Sequence, residues 1–270
     1  MSEYPIFVPA ADGEHLAAVL NVPESPRGLA LLLQGLGPPR SHRYQLWTRA
    51  ARALADRGIA SVRLDYPEIG DSTGKLEATL DDPPVDAALA VADAALRATG
   101  LTAFAALGNC MGGRIALKIQ GRAGDCRGIG VILTGDPVKY LARKGFPKAR
   151  GGVRHALVRK LRRVRGKAGG GIRWIPEVPK TLATSELLVL YAGPESTGAF
   201  LERSLSALAS RTTGARTVYR YLPARPTNRF ELDLPVQQRV VETLVDWLDV
   251  LMPARATERP DAAKGVGAVP

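Results

Sequence analysis

The residues best suited to chemistry lie in Gly108-Asn109-Cys110-Met111-Gly112, between the apolar run TAFAALGN and the helix-like stretch RIALKIQ. A tight turn from strand to helix needs small residues on both sides of its apex, because the backbone there is strained and packs against neighbouring strands. Gly108, Gly112 and Gly113 supply them. Such a turn points the apical side chain out of the sheet edge. The helix behind it directs free N–H groups and the positive end of its dipole at that side chain. Cys110 is therefore the candidate nucleophile, at a place that favours the thiolate form.

The surrounding elements have to hold that turn. From Gly28 the chain reads as strand GLALLLQGLG, helix YQLWTRAARALADRG, strand IASVRLDY, helix VDAALAVADAALRAT, strand TAFAALGN and then the helix after Cys110. Strand RGIGVILTG follows, then a long irregular insertion, strand ELLVLYAG, helix AFLERSLSALAS, strand RTVYRYLP and helix VQQRVVETLVDWLDVL. Apolar strand runs alternating with amphipathic helices predict an α/β fold, its mostly parallel sheet covered on both faces. Cys110 then falls at the carboxyl end of a middle strand, where open α/β sheets place their sites.

The motif, the order of elements and two further segments together resemble the α/β-hydrolase superfamily over roughly Tyr4 to Met252. Gly108 to Gly112 is similar to the GxSxG nucleophile elbow, with cysteine in place of serine. Arg63-Leu64-Asp65-Tyr66-Pro67-Glu68-Ile69-Gly70-Asp71-Ser72 resembles the family's RxDxxGxGxS stretch, with Glu68 where a glycine is usual. Gln34-Gly35-Leu36-Gly37 stands where the family has its His-Gly oxyanion loop, with glutamine replacing histidine. The resemblance implies a single domain over 1–252, a cap inserted at about 137–180 and a flexible tail over 253–270. It also implies an oxyanion hole made by the N–H of Met111 and one from Gly35 or Leu36.

The triad implied by the resemblance is incomplete. The loop after the last strand, LPARPTNRFELDLP, has no histidine, and Asn228 stands where the base would be. The chain holds three histidines. His15 belongs to an amino-terminal hairpin and reads as structural, and His155 belongs to the cap. His42, in the loop after the oxyanion-type segment, is the best substitute base because that loop overhangs the same sheet end. Two carboxylates compete for the acid. Asp136, directly after the strand that follows the elbow helix, is preferred; Glu195 matches the commoner family position.

The charge is concentrated. Of 37 basic residues, thirteen lie between Pro137 and Pro176, a stretch without Asp or Glu; the remaining 24 face 26 acidic groups, so the net +11 belongs to the insertion. Within it, RHALVRKLRRVR carries Leu157, Leu161 and Val164 at helical spacing, and Arg154, Arg159, Arg162 and Arg163 are the candidate binding cations. Few aromatics flank the run, which argues against nucleic acid, and its apolar face is too narrow for a membrane helix. An acidic acyl-carrier protein or the phosphates of coenzyme A fit better, delivering a small acyl substrate to Cys110.

With 270 residues, 46% of them hydrophobic, the chain can bury a large core. No apolar run approaches the ~20 residues that span a bilayer, and the start has no signal-peptide pattern, so a soluble cytoplasmic protein is expected. The two cysteines are separated by about a dozen residues of helix, ~18 Å, beyond disulfide reach. No CxxC spacing suggests a metal, and no cofactor motif is evident.

A serine triad without its histidine loses on the order of 10⁶ in turnover. Cysteine is less dependent, since a thiolate forms without a dedicated base. The lead expectation is therefore cysteine-dependent acyltransfer or thioester processing on an acyl or polyketide-type substrate. Two alternatives stay open. The resemblance extends to hydrolase-like enzymes of tetronate biosynthesis, which implies a lyase that eliminates a small acid such as acetate. A non-catalytic binding protein with a degenerate triad is the other.

Overall fold

The computed structural model describes residues 1–35, 37–76, 82–119, 122–134, 186–193, 216–223 and 233–253. Eight strands form one sheet: β1 (Ser2–Pro9), β2 (His15–Val22), β3 (Leu29–Leu33), β4 (Ala60–Leu64), β5 (Phe104–Asn109), β6 (Cys126–Thr134), β7 (Glu186–Gly193) and β8 (Arg216–Pro223). Their order across the sheet is β1-β2-β4-β3-β5-β6-β7-β8. The β1–β2 hairpin joins β4 antiparallel, and every pairing from β4 to β8 is parallel.

Burial on both faces is visible in single strands. Every residue of β3, LALLL, is fully buried. Leu29, Leu31 and Leu33 share a core with Phe104 and Ala106 of β5 and with helices α2 (Val85–Thr99) and α3 (Met111–Ile119). Ala30 and Leu32 pack with Ala105 and Leu107 on the opposite face, under helix α1 (Leu46–Ala55) and helix α4 (Leu234–Leu251). The period-two alternation of side chains thus splits one apolar run between two cores.

Helix ends follow local chemistry. Asp233 caps α4 by accepting from the Val236 N–H at 3.2 Å, with Pro235 in the first turn. Gly100 closes α2 in the left-handed conformation, φ 67°. One boundary differs from the expectation. The helix expected from Tyr44 begins at Leu46, because Tyr44 and Gln45 take left-handed backbone, φ 49° and 55°, within a tight turn that precedes α1. Leu46 and Trp47, both fully buried, are the first residues the core can hold in helical form.

The chain leaves β3 toward β4 on one side and returns to β5 on the other. Strand order therefore reverses between β3 and β5, and it is at the carboxyl ends of such a reversal that open α/β sheets bind ligands. Gln34-Gly35 leaves β3 and Cys110 leaves β5 at those ends. Among the described residues no helix is long and apolar enough to cross a membrane.

Candidate active site

Cys110 follows β5 directly, and α3 begins at the next residue. Its φ is 52°, a left-handed value that non-glycine residues rarely adopt and that marks stored backbone strain. The side chain is exposed, whereas the residues on both sides, Asn109 and Met111, are buried. Close packing around the turn explains its glycines. A Cβ on Gly108 would overlap the Gly112 main chain, and a Cβ on Gly112 would overlap the Leu33 carbonyl. A Cβ on Gly113 would come within 3.0 Å of Val131 Cγ1 on β6. Three strands, β3, β5 and β6, meet α3 here with no room for side chains.

The loop after β3 lies against Cys110. A Cβ on Gly35 would stand 3.2 Å from Cys110 Cβ, 3.7 Å from its Sγ and 3.6 Å from Asn109 Nδ2. Gln34 anchors that loop: its Nε2 donates to the Leu64 carbonyl at 2.6 Å, and its own carbonyl accepts from the Tyr66 hydroxyl at 2.9 Å. Tyr66 is fully buried. Burial, with the nearby Cys110 sulfur adding to it, holds its phenol well above the usual range and keeps it a neutral donor. Met111 opens α3, so its N–H belongs to the first turn, whose donors have no intrahelical acceptor.

The segment after β4 braces the same edge. Asp65 is fully buried; its carboxylate pairs with the Arg40 guanidinium and accepts from the Arg40 N–H at 2.6 Å and the Asp71 N–H at 3.1 Å. Gly70, φ 57°, turns tightly over that carboxylate. Ser72 donates to the Asp65 carbonyl and accepts from the Ala17 N–H, tying the segment to β2. Glu68, where the sequence departs from the glycine pattern, takes φ 64°, and its Oε2 accepts from the Leu76 N–H at 3.1 Å.

His42 lies beside the elbow. It is buried at 6% exposure, and its Nε2 is 3.1 Å from Asn109 Nδ2. Burial pushes its imidazole down to about 4, so the ring is neutral near pH 7. Among the described residues no side chain makes a hydrogen bond to Cys110 Sγ, and the His42 Nε2 that faces the elbow is engaged by Asn109. His15 opens β2, opposite Pro9 of the edge strand β1, with its ring 5.1 Å from Phe7 and its main-chain N–H donating to Thr73 Oγ1 at 2.9 Å.

Of the sequence-derived candidates, the structure brings together Cys110, Met111, Gly35 and His42 at one end of β3 and β5. Leu36, Asp136, Glu195, Asn228 and His155 lie outside the described residues, as do the cap cations Arg154, Arg159, Arg162 and Arg163. Asp136 comes two residues after Thr134, the end of β6, which pairs with β5 through Asn109 and Ile132. Sequence reasoning missed Asn109 and Tyr66 as contacts of this site. Both stand inside the quoted motifs, but their partners, His42 and Gln34, are 67 and 32 residues away. Cys126 is a second free thiol, buried, and burial pushes it up to about 12. The described residues contain no cluster of three or more His, Cys, Asp or Glu side chains that could hold a metal ion.

Solved structures of many other proteins share this architecture, and three serve as examples. An esterase from Pyrococcus furiosus has a TM-score of 0.58 at 15% identity, covering 92% of this chain and 91% of its own. Epoxide hydrolase A from Mycobacterium thermoresistibile has a TM-score of 0.57 at 14% identity, covering 92% and 98%. Dienelactone hydrolase from Anabaena variabilis has a TM-score of 0.56 at 13% identity, covering 92% and 96%. The fold is that of the α/β-hydrolases. No family model matches the chain, and no curated protein matches it. Within this fold, the strained turn at Cys110 and the Gln34-Gly35 segment stand together at the carboxyl ends of β5 and β3.

Proposed function

We propose that the protein is a cysteine-dependent acyl-transferring enzyme of the α/β-hydrolase fold. One observation carries the reading: an exposed thiol at a left-handed, glycine-packed elbow, with the Gly35 backbone against it. A buried structural cysteine needs none of these features, and Cys126 has none of them.

In this reading Cys110 Sγ attacks the carbonyl carbon of an acyl thioester. As the new C–S bond forms, charge grows on the carbonyl oxygen, which the N–H groups of Met111 and of Gly35 or Leu36 receive. Each well-placed donor of this kind contributes on the order of 10²–10³ in rate. Collapse of the tetrahedral species breaks the original C–S bond, and the departing thiolate takes up the proton that Cys110 released. The acyl group then passes to an amine, alcohol or carbanion acceptor. Transfer is favoured over hydrolysis because attack by water needs a general base, and the His42 Nε2 facing the elbow is engaged by Asn109. Asp136 is the proposed acid of the site. Arg154, Arg159, Arg162 and Arg163 are proposed to meet the phosphates of coenzyme A or the acidic face of a carrier protein.

Rapid mixing with p-nitrophenyl acetate tests the reading. The expected result is a burst of one equivalent of nitrophenolate per Cys110, followed by a slow phase that added amine or thiol acceptors accelerate. A protein showing no burst, or a steady hydrolysis that acceptors leave unchanged, is not an acyltransferase. An eliminating lyase or a binding protein would give the first of those outcomes.

A further inference from the structure

His42 is held at a cost. Three non-glycine residues within four positions take left-handed backbone: His42 at φ 60°, Tyr44 at 49° and Gln45 at 55°. Strain of this kind persists only where surrounding contacts over-determine it. Here the contacts are identifiable. The Pro39 carbonyl accepts the His42 N–H at 2.8 Å, and the imidazole meets Trp47 edge-on at 6.4 Å between ring centroids. The inward side of the ring meets Asn109, the residue immediately before the nucleophile.

Asn109 is 1% exposed. Its Nδ2 stands 3.1 Å from His42 Nε2 and 3.6 Å from where a Gly35 Cβ would be, so the amide is in contact range of both the imidazole and the Gly35 loop. Its Oδ1 has no hydrogen-bond partner among the described residues, which leaves the contact to His42 as the bond that fixes the amide. An Nδ2–H donated to this nitrogen requires a lone pair on Nε2 and therefore a neutral ring with its proton on Nδ1, which is buried and has no hydrogen-bond partner among the described residues, so the tautomer is the point the NMR test below decides.

From this geometry we infer that His42 is a positioning residue rather than the base: by accepting the Asn109 amide it holds the elbow and the Gly35 loop in mutual register, so that the oxyanion donors face the carbonyl oxygen. The inference rests on the acyl-transfer reading for its kinetic consequence, and on the contact itself for its spectroscopic one.

Two reactions at the same sulfur separate the roles. Acylation by p-nitrophenyl acetate needs the oxyanion donors; alkylation by iodoacetamide, a displacement at saturated carbon, does not. His42→Leu should slow acylation of Cys110 by ~100-fold, the magnitude of one lost oxyanion donor, and change alkylation by less than about twofold. His42→Gln, whose Oε1 can accept the Asn109 amide, should restore acylation to within about tenfold of wild type. A base would show a parallel fall in both reactions with no rescue by glutamine. A residue that only stabilises the fold would lower the melting temperature and leave both rates unchanged in the folded protein. Either of those patterns overturns the inference.

Should His42→Leu fail to fold, nitrogen NMR of the imidazole in the wild-type protein decides instead. Nε2 must be the unprotonated nitrogen at pH 7, and Asn109→Ala must shift its resonance. A protonated Nε2, or a resonance indifferent to residue 109, defeats the inference even if Cys110 is acylated. Absence of acylation in the wild-type protein defeats the acyl-transfer reading and leaves the contact to be judged by its NMR signature.

Discussion

Acidification should weaken the fold through His42 in a calculable way. The imidazole is pushed from 6.5 to about 4 by burial, with the Arg43 charge acting in the same direction and the Arg43 main chain opposing it. An unfolded chain therefore binds this proton at a higher pH than the native one does. Stability is fully present above the unfolded value and is lost as pH falls through 6.5 toward about 4. Between about pH 7.5 and about pH 5 the unfolded imidazole becomes almost wholly charged while the native one stays almost wholly neutral. The linkage relation then gives a loss of about 2 kcal/mol for this group alone. Urea denaturation of wild type and His42→Gln at both pH values isolates it, because carboxylates and the other histidines contribute equally to the two proteins. The wild type should lose ~2 kcal/mol more than the variant over that interval. Equal losses would mean that His42 titrates normally in the folded state, and that its burial against Asn109 has been misjudged.

Three further outcomes follow from the packing. Iodoacetamide on the native protein should label one thiol, at Cys110, with Cys126 reacting only in denaturant; rapid labelling of both would contradict the burial of Cys126. Gly112→Ala places a Cβ on the Leu33 carbonyl and should cost about 3 kcal/mol or prevent folding. Gly124→Ala meets nothing within 4 Å and should stay within about 0.5 kcal/mol of wild type, both read by thermal unfolding; equal effects would refute the close approach at the elbow. Glu68→Gly should exceed Glu68→Ala in stability by about 1 kcal/mol, since alanine keeps the left-handed strain at φ 64° and glycine does not. Alanine at least as stable as glycine would show that the turn carries no strain there.

The parts of the fold legible in the sequence were those written in local pattern. LALLL, FAALGN and ELLVLYAG announce strands buried on both faces, and the glycines around Cys110 announce a turn too tight for side chains. The reversal of strand order between β3 and β5 could be expected only through the resemblance, because no local signal encodes which neighbour a strand takes. The tight turn at Cys110 was legible for the same reason, whereas the Gln34-Gly35 loop beside it could be expected there only through the resemblance. The environment of His42 was not. Its loop takes left-handed backbone at His, Tyr and Gln, residue types that carry no signature of that conformation, so Tyr44 and Gln45 read as the start of a helix. Its partner Asn109 is distant in sequence, and only the parallel pairing of β3 with β5 brings the two loops together.

The central claim is that Cys110 accepts an acyl group. Incubation with an acyl thioester, quenching and peptide mapping by mass spectrometry tests it most directly. The expected product carries a single acyl group on the peptide containing Cys110 and is absent from Cys110→Ala. An unmodified Cys110 across a panel of acyl donors, or acylation that survives Cys110→Ala, would contradict the account.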